Sequence, residues 1–207
     1  MYVFLGASQL VRMLNNFPVE DSVSLAVSGA SACCLPPANH DLWLRSILKT
    51  QILKRLSRNE AFDKYRDILI ILAGTNDIKA EVDVPSLKKA LKALLLYAER
   101  HFRFIVIGRI PPIPLFPAHV NRKIDVVNQW LSSFCSRESL RDRVVVVDSF
   151  SPFMRQDSWE PDRRFYEKFY FPKRGHQNRR VDLLHLNREG LRILHRLLLE
   201  AAQLFTT

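Results

Sequence analysis

Five short runs rich in Val, Ile and Leu recur along the chain, and segments with helical spacing separate them. The runs fall at 2–5, 22–27, 68–73, 104–108 and 144–148. Continuous apolar runs of this length read as strands buried on both faces, which is how parallel strands sit in a sheet covered by helices. Parallel neighbours need a crossover, and the intervening segments supply it. From Asp41, Leu44, Ile47, Leu48 and Leu56 share one side, with Arg45, Lys49 and Arg58 elsewhere. From Pro85, Ser86 reads as the N-cap and Leu87, Leu91, Leu94 and Leu95 as the apolar face. Two more helices are expected over 121–135 and 188–205, and a short one after Ser8. Strands alternating with helices restrict the chain to an α/β fold with right-handed crossovers. Five strands predict a flavodoxin-like three-layer sandwich with a parallel sheet in the order 2-1-3-4-5.

The 207 residues are expected to form a single domain, read here as one cut from a longer protein because it opens directly on a strand. A domain of this size buries roughly 70% of its unfolded surface and needs no staples. Cys33, Cys34 and Cys135 are odd in number and two are adjacent, so no disulfide framework is expected. They fit small core side chains in a reducing compartment. No histidine or second cysteine pair is spaced to make Cys33 and Cys34 a metal site, and no cofactor is expected. No apolar run approaches the ~20 residues that span a bilayer, so no membrane partner is expected.

In open parallel sheets the ligand sits beyond the carboxyl ends of the strands. Those ends carry Gly6-Ala7-Ser8, Ser28-Gly29-Ala30-Ser31 and Gly74-Thr75-Asn76-Asp77, and Asp182-Leu183-Leu184-His185 precedes the last helix. The fold would bring all four to one rim. There Ser8 has the chemistry of a nucleophile, His185 of its base and Asp182 of the carboxylate that orients the base. The backbone N–H groups of Gly29 and Ser8 and the side-chain amide of Asn76 could hold an oxyanion. Together these residues outline acyl transfer through a serine.

The four stretches resemble the serine, glycine, Gly-x-Asn-Asp and Asp-x-x-His blocks of the SGNH (GDSL) hydrolases, from Gly6 to the final helix. The resemblance implies Ser8 as nucleophile, Gly29 and Asn76 as oxyanion donors, His185 as base and Asp182 as its partner. It departs at Ala7, where the family usually has Asp. That carboxylate normally helps to fix the turn, and a displacement of Ser8 by up to ~1 Å can cost ~10²-fold in rate.

A second feature pulls elsewhere. The net charge is +10, which favours anionic partners. Between 163 and 180, Arg163, Arg164, Lys168, Lys173, Arg174, Arg179 and Arg180 interleave with Phe165, Tyr166, Phe169, Tyr170 and Phe171. Cations for phosphates and aromatic faces for bases suit single-stranded nucleic acid. The stretch ends one residue before Asp182, and Arg45 in the second helix could extend the same surface. A basic, Ala7-bearing SGNH-like domain is similar to the OSK domains of insect germ-plasm proteins. That resemblance implies a non-catalytic module that binds single-stranded RNA, at messenger 3′ untranslated regions, beside other granule proteins in cytoplasmic ribonucleoprotein granules during germ-cell formation. The leading expectation is therefore an RNA-binding domain, through Arg45, Arg163, Arg164, Lys173, Arg174, Arg179 and Arg180, with an inherited rim. The alternatives are an active intracellular serine esterase or deacetylase with an anionic substrate, and a scaffold that binds protein.

Overall fold

A computed structural model describes residues 1–34, 42–60, 62–156, 158–170 and 180–206. Its centre is a five-stranded parallel sheet in the order β2-β1-β3-β4-β5, the order expected from the sequence. The strands are β1 (Tyr2–Gly6), β2 (Ser22–Ser24), β3 (Ile68–Leu72), β4 (Phe104–Gly108) and β5 (Val144–Val147). The all-apolar β3 is buried along its whole length at the middle of the sheet. At the edge, β2 keeps only three paired residues, shorter than its apolar run suggests.

Side chains alternate across the sheet and build two cores. Val3 and Leu5 of β1 face one helical layer, made by α2 (Leu44–Ser57), α4 (Val84–Ala98) and α5 (Ala118–Cys135). Phe4 faces the other, where Leu10 and Met13 of α1 (Ser8–Asn16) meet Leu191, Leu194 and Leu198 of α7 (Arg188–Gln203). Two short helices complete the set, α3 (Thr75–Lys79) and α6 (Glu138–Arg141). None of the described helices is long and apolar enough to cross a membrane.

Two helix readings need correction. The N-cap of α4 is Asp83, whose carboxylate accepts from the Ser86 N–H at 2.8 Å; Ser86 lies inside the helix. Asp83 outcompetes Ser86 because Pro85 fits the first turn, where its missing N–H costs nothing. In α2, Leu56 is 53% exposed, and Ile52 completes the buried stripe with Leu44, Ile47 and Leu48. Leu56 lies in the last turn, one residue before the helix ends at Ser57.

Between β5 and α7 the chain forms two 3-10 turns, Ser151–Phe153 and Arg163–Phe165, and a small antiparallel pair, β6 (Phe169–Tyr170) with β7 (Arg180–Val181). The proline-rich loop after β4 is held by α5. Asn128 exchanges two hydrogen bonds with the backbone of Ile110, and Asn121 does the same with Ile113. Both amides are fully buried and satisfy backbone groups that no strand reaches.

Candidate active site

The site begins with a close approach. At Gly6 a Cβ would run into the Leu72 carbonyl oxygen and the Leu10 side chain, so only glycine lets β1 end tight against β3 with α1 above it. The chain turns at Ala7, whose carbonyl accepts from the N–H of Leu10 and Val11 and starts α1. Ser8 is the first residue of that helix and points to the rim. The Ala7 methyl is 6% exposed and belongs to the apolar core, where an ionised aspartate would need partners of its own.

The triad is assembled. The Ser8 hydroxyl lies 3.1 Å from His185 Nε2. His185 Nδ1 lies 2.8 and 2.9 Å from the two carboxylate oxygens of Asp182. A carboxylate offers only acceptors, so Nδ1 carries the proton and Nε2 is left to accept from Ser8. Asp182 is itself fixed, accepting from the backbone N–H of His185 at 3.2 Å. The loss of the block-one aspartate has not displaced the serine from its base.

Gln9 supplies the reason. Its side chain donates to the Leu184 carbonyl at 3.0 Å and accepts from the Leu186 N–H at 3.2 Å. It is 4% exposed, and the two bonds bracket His185. The residue after Ser8 thus ties the serine helix to the histidine segment. Sequence reasoning missed it, because a glutamine beside a serine has no signature until its distant partners are known.

Gly29 sits at φ +84°, in the left-handed region that favours glycine. Its N–H makes no hydrogen bond among the described residues, and Gly29 lines the pocket. Asn76 spends one amide hydrogen on the Ala30 carbonyl at 2.7 Å, which orients the side chain and leaves a second N–H for the pocket. Asp77, fully buried, accepts from the N–H of Ala32 and Cys33 at 2.9 and 2.7 Å and locks the glycine block to the asparagine block. Burial raises the Asp77 carboxyl above its usual range, against the pull of those bonds.

All five residues expected at the rim, Ser8, Gly29, Asn76, Asp182 and His185, line one cavity of about 460 Å³. Arg12 and Lys79 line it too and were not foreseen. Arg12 stands one turn beyond Ser8, and its guanidinium lies 3.5 Å from Asp182 Oδ2. His185 is held below the ordinary imidazole range, first by burial and then by Arg12, with Asp182 opposing both. The neutral imidazole, the form that can accept a proton, therefore persists to lower pH than usual.

Of the basic residues expected to bind RNA, Arg45, Arg163 and Arg164 are not among the residues that line this pocket. Arg45 stacks over Trp43, with its guanidinium carbon 4.1 Å from the ring centroid. Arg163 is exposed on its 3-10 turn. Arg164 is committed to the Asp162 carboxylate through Nε and a 2.6 Å bond from Nη2. Arg180 lies in β7, opposite Tyr170. Lys173, Arg174 and Arg179 fall outside the described residues, as does Phe171. One aromatic in this stretch is no platform for bases: Tyr166 is 2% exposed, and its hydroxyl donates to the Pro112 carbonyl. Core packing claims it because it sits between the sheet and α7.

Comparison with known proteins places this geometry. No curated protein matches the sequence. Among solved structures, a GDSL-like lipase from Bacteroides thetaiotaomicron superposes with a TM-score of 0.68 at 14% identity, covering 98% of this chain and 87% of that one. A lipolytic protein of the G-D-S-L family from Veillonella parvula gives 0.61 at 15% identity, over 96% of each chain. The OSK domain of Drosophila Oskar gives 0.62 at 12% identity, over 96% of this chain and 86% of that one. The fold is thus shared by lipolytic proteins and by Oskar. The family model that matches residues 3–193 covers all four blocks of the rim, and by it the chain belongs to the GDSL-like lipase/acylhydrolase family.

Proposed function

We propose that this protein is a serine acylhydrolase that cleaves carboxylic esters. The observation that carries the reading is the unbroken chain from Ser8 through His185 to Asp182 at 3.1 and 2.8 Å. Ser8 Oγ attacks the ester carbonyl while His185 Nε2 takes its proton. The oxyanion of the tetrahedral intermediate is met by the N–H groups of Gly29 and Ser8 and the Asn76 amide. Asp182 holds the imidazolium in place and offsets its charge. His185 then protonates the leaving alkoxide, and a water activated by the same nitrogen releases the acid from Ser8. With 4-nitrophenyl acetate, Ser8→Ala is expected to remove at least roughly a thousandfold of kcat. Turnover unchanged by Ser8→Ala would refute the mechanism.

A second reading, RNA binding through a basic surface, is favoured by the net charge of +10 and by the fold shared with the OSK domain. It carries with it the messenger 3′ untranslated regions, the germ-granule partners and the cytoplasmic location that the OSK resemblance implies. Titration with single-stranded RNA at several salt concentrations tests it. Binding should weaken with a slope of about −0.7 per neutralised phosphate and vanish when Lys173, Arg174, Arg179 and Arg180 are changed to Glu. Affinity retained in that variant would overturn it.

A further inference from the structure

The pocket repeats itself one helical turn from the reacting groups, with charge in place of chemistry. Ser8 and Arg12 are four residues apart on α1, and Asn76 and Lys79 three apart on α3, so each pair shares a helix face. Nucleophile and oxyanion donor thus form one tier of the cavity. Arg12 and Lys79 form a second tier, about 5.4 Å further along if each helix keeps ordinary pitch. Both cations line the same cavity as Ser8 and His185.

The charge of this second tier is only partly cancelled. Asp182 is the only carboxylate lining the cavity among the described residues, and its oxygens are shared by His185 and Arg12. Lys79 is exposed and has no ion pair among the described residues. Among the described residues that line the cavity, Leu184 is the single apolar side chain larger than a methyl. At the hollow near Phe165, by contrast, Arg155 and Arg164 are paired with Glu160 and Asp162.

Resting on the acylhydrolase reading above, we infer that the substrate is an ester bearing an anionic group, a carboxylate or phosphate, a few bonds from the reacting carbonyl. Lys79 and Arg12 receive that anion, and the ester carbonyl then falls between Ser8 and the Gly29 and Asn76 donors. The acyl–oxygen bond breaks and the acyl group passes to Ser8 Oγ. The anionic or neutral alcohol leaves with the proton from His185, and water returns the acid.

Two matched ester pairs test this. One places the charge on the alcohol, 3-acetoxybenzoate against 3-acetoxybenzamide. The other places it on the acyl group, 4-nitrophenyl 3-carboxybenzoate against 4-nitrophenyl 3-carbamoylbenzoate, where the ring holds the carboxylate too far from its own ester to attack it. Each kcat/KM is divided by that ester's spontaneous hydrolysis rate. The charged member of at least one pair is expected to lead by roughly three- to tenfold, the range for one or two partly exposed ion pairs. The lead should shrink with added salt, fall in Lys79→Gln and invert in Lys79→Glu. No lead in either pair, or a lead that survives Lys79→Glu, overturns the inference while leaving the hydrolase standing. Failure to turn over any of the four esters overturns both.

Discussion

The rim around Ser8 and the stretch from Arg163 to Lys168 are both dense in charged and polar residues, yet the structure uses them in opposite ways. At the rim, Ser8, His185, Asp182 and Gln9 are wired to one another and stop at a cavity, so their spare valences face a solvent pocket. In the second stretch Arg164 closes on Asp162, Tyr166 reaches into the core, and Asn187 ties the stretch to the start of α7, while Arg163 and Lys168 stay exposed at its surface. The difference is one of direction. A residue serves a ligand when its neighbours satisfy it incompletely and hold it still, and composition alone does not report either condition.

Substitutions sharpen that contrast. Gln9→Leu keeps the volume but leaves the Leu184 carbonyl and Leu186 N–H unpaired, freeing His185 to drift from Ser8. It is expected to lower kcat by roughly 10- to 100-fold with a much smaller change in KM. An equal effect on KM, or none on kcat, would remove Gln9 from a positioning role. Tyr166→Phe is the counterpart in the second stretch. It strands the buried Pro112 carbonyl at about 1–3 kcal/mol, so melting temperature should drop by several degrees with kcat unmoved. A loss of rate without a loss of stability would mean that this stretch works for the site after all.

Arg12→Gln has the subtlest expected effect, on pH. Because Arg12 disfavours the imidazolium, removing it raises the His185 pKa. The acid limb of kcat/KM, which falls as His185 gains its proton, should therefore move to higher pH. An acid limb that stays put or moves down would show that Arg12 does not act through His185.

How much of this was legible in the sequence follows the same division. The strands and their order were readable because β1, β3 and β4 are continuous apolar runs whose burial on both faces leaves no competing assignment. The five rim residues were readable because each stands at the end of an element, where the sheet's topology gathers them. Gln9 and Arg12 were not, since their meaning lies in partners up to 177 positions away, nor was Lys79, which counts only through the cavity it lines. The cap of α4 and the exposure of Leu56 failed for a nearer reason: Pro85 fits the first turn after Asp83, and Leu56 stands in the last turn of α2.

The central claim is that Ser8 is an activated nucleophile and not a leftover turn residue. Intact-mass spectrometry after exposure to a fluorophosphonate tests it most directly, because the reagent reacts with a serine only where a base and an oxyanion site serve it. The account predicts one adduct per chain, mapped to the peptide containing Ser8 and absent in His185→Ala. No adduct, or an adduct on another residue, would contradict it.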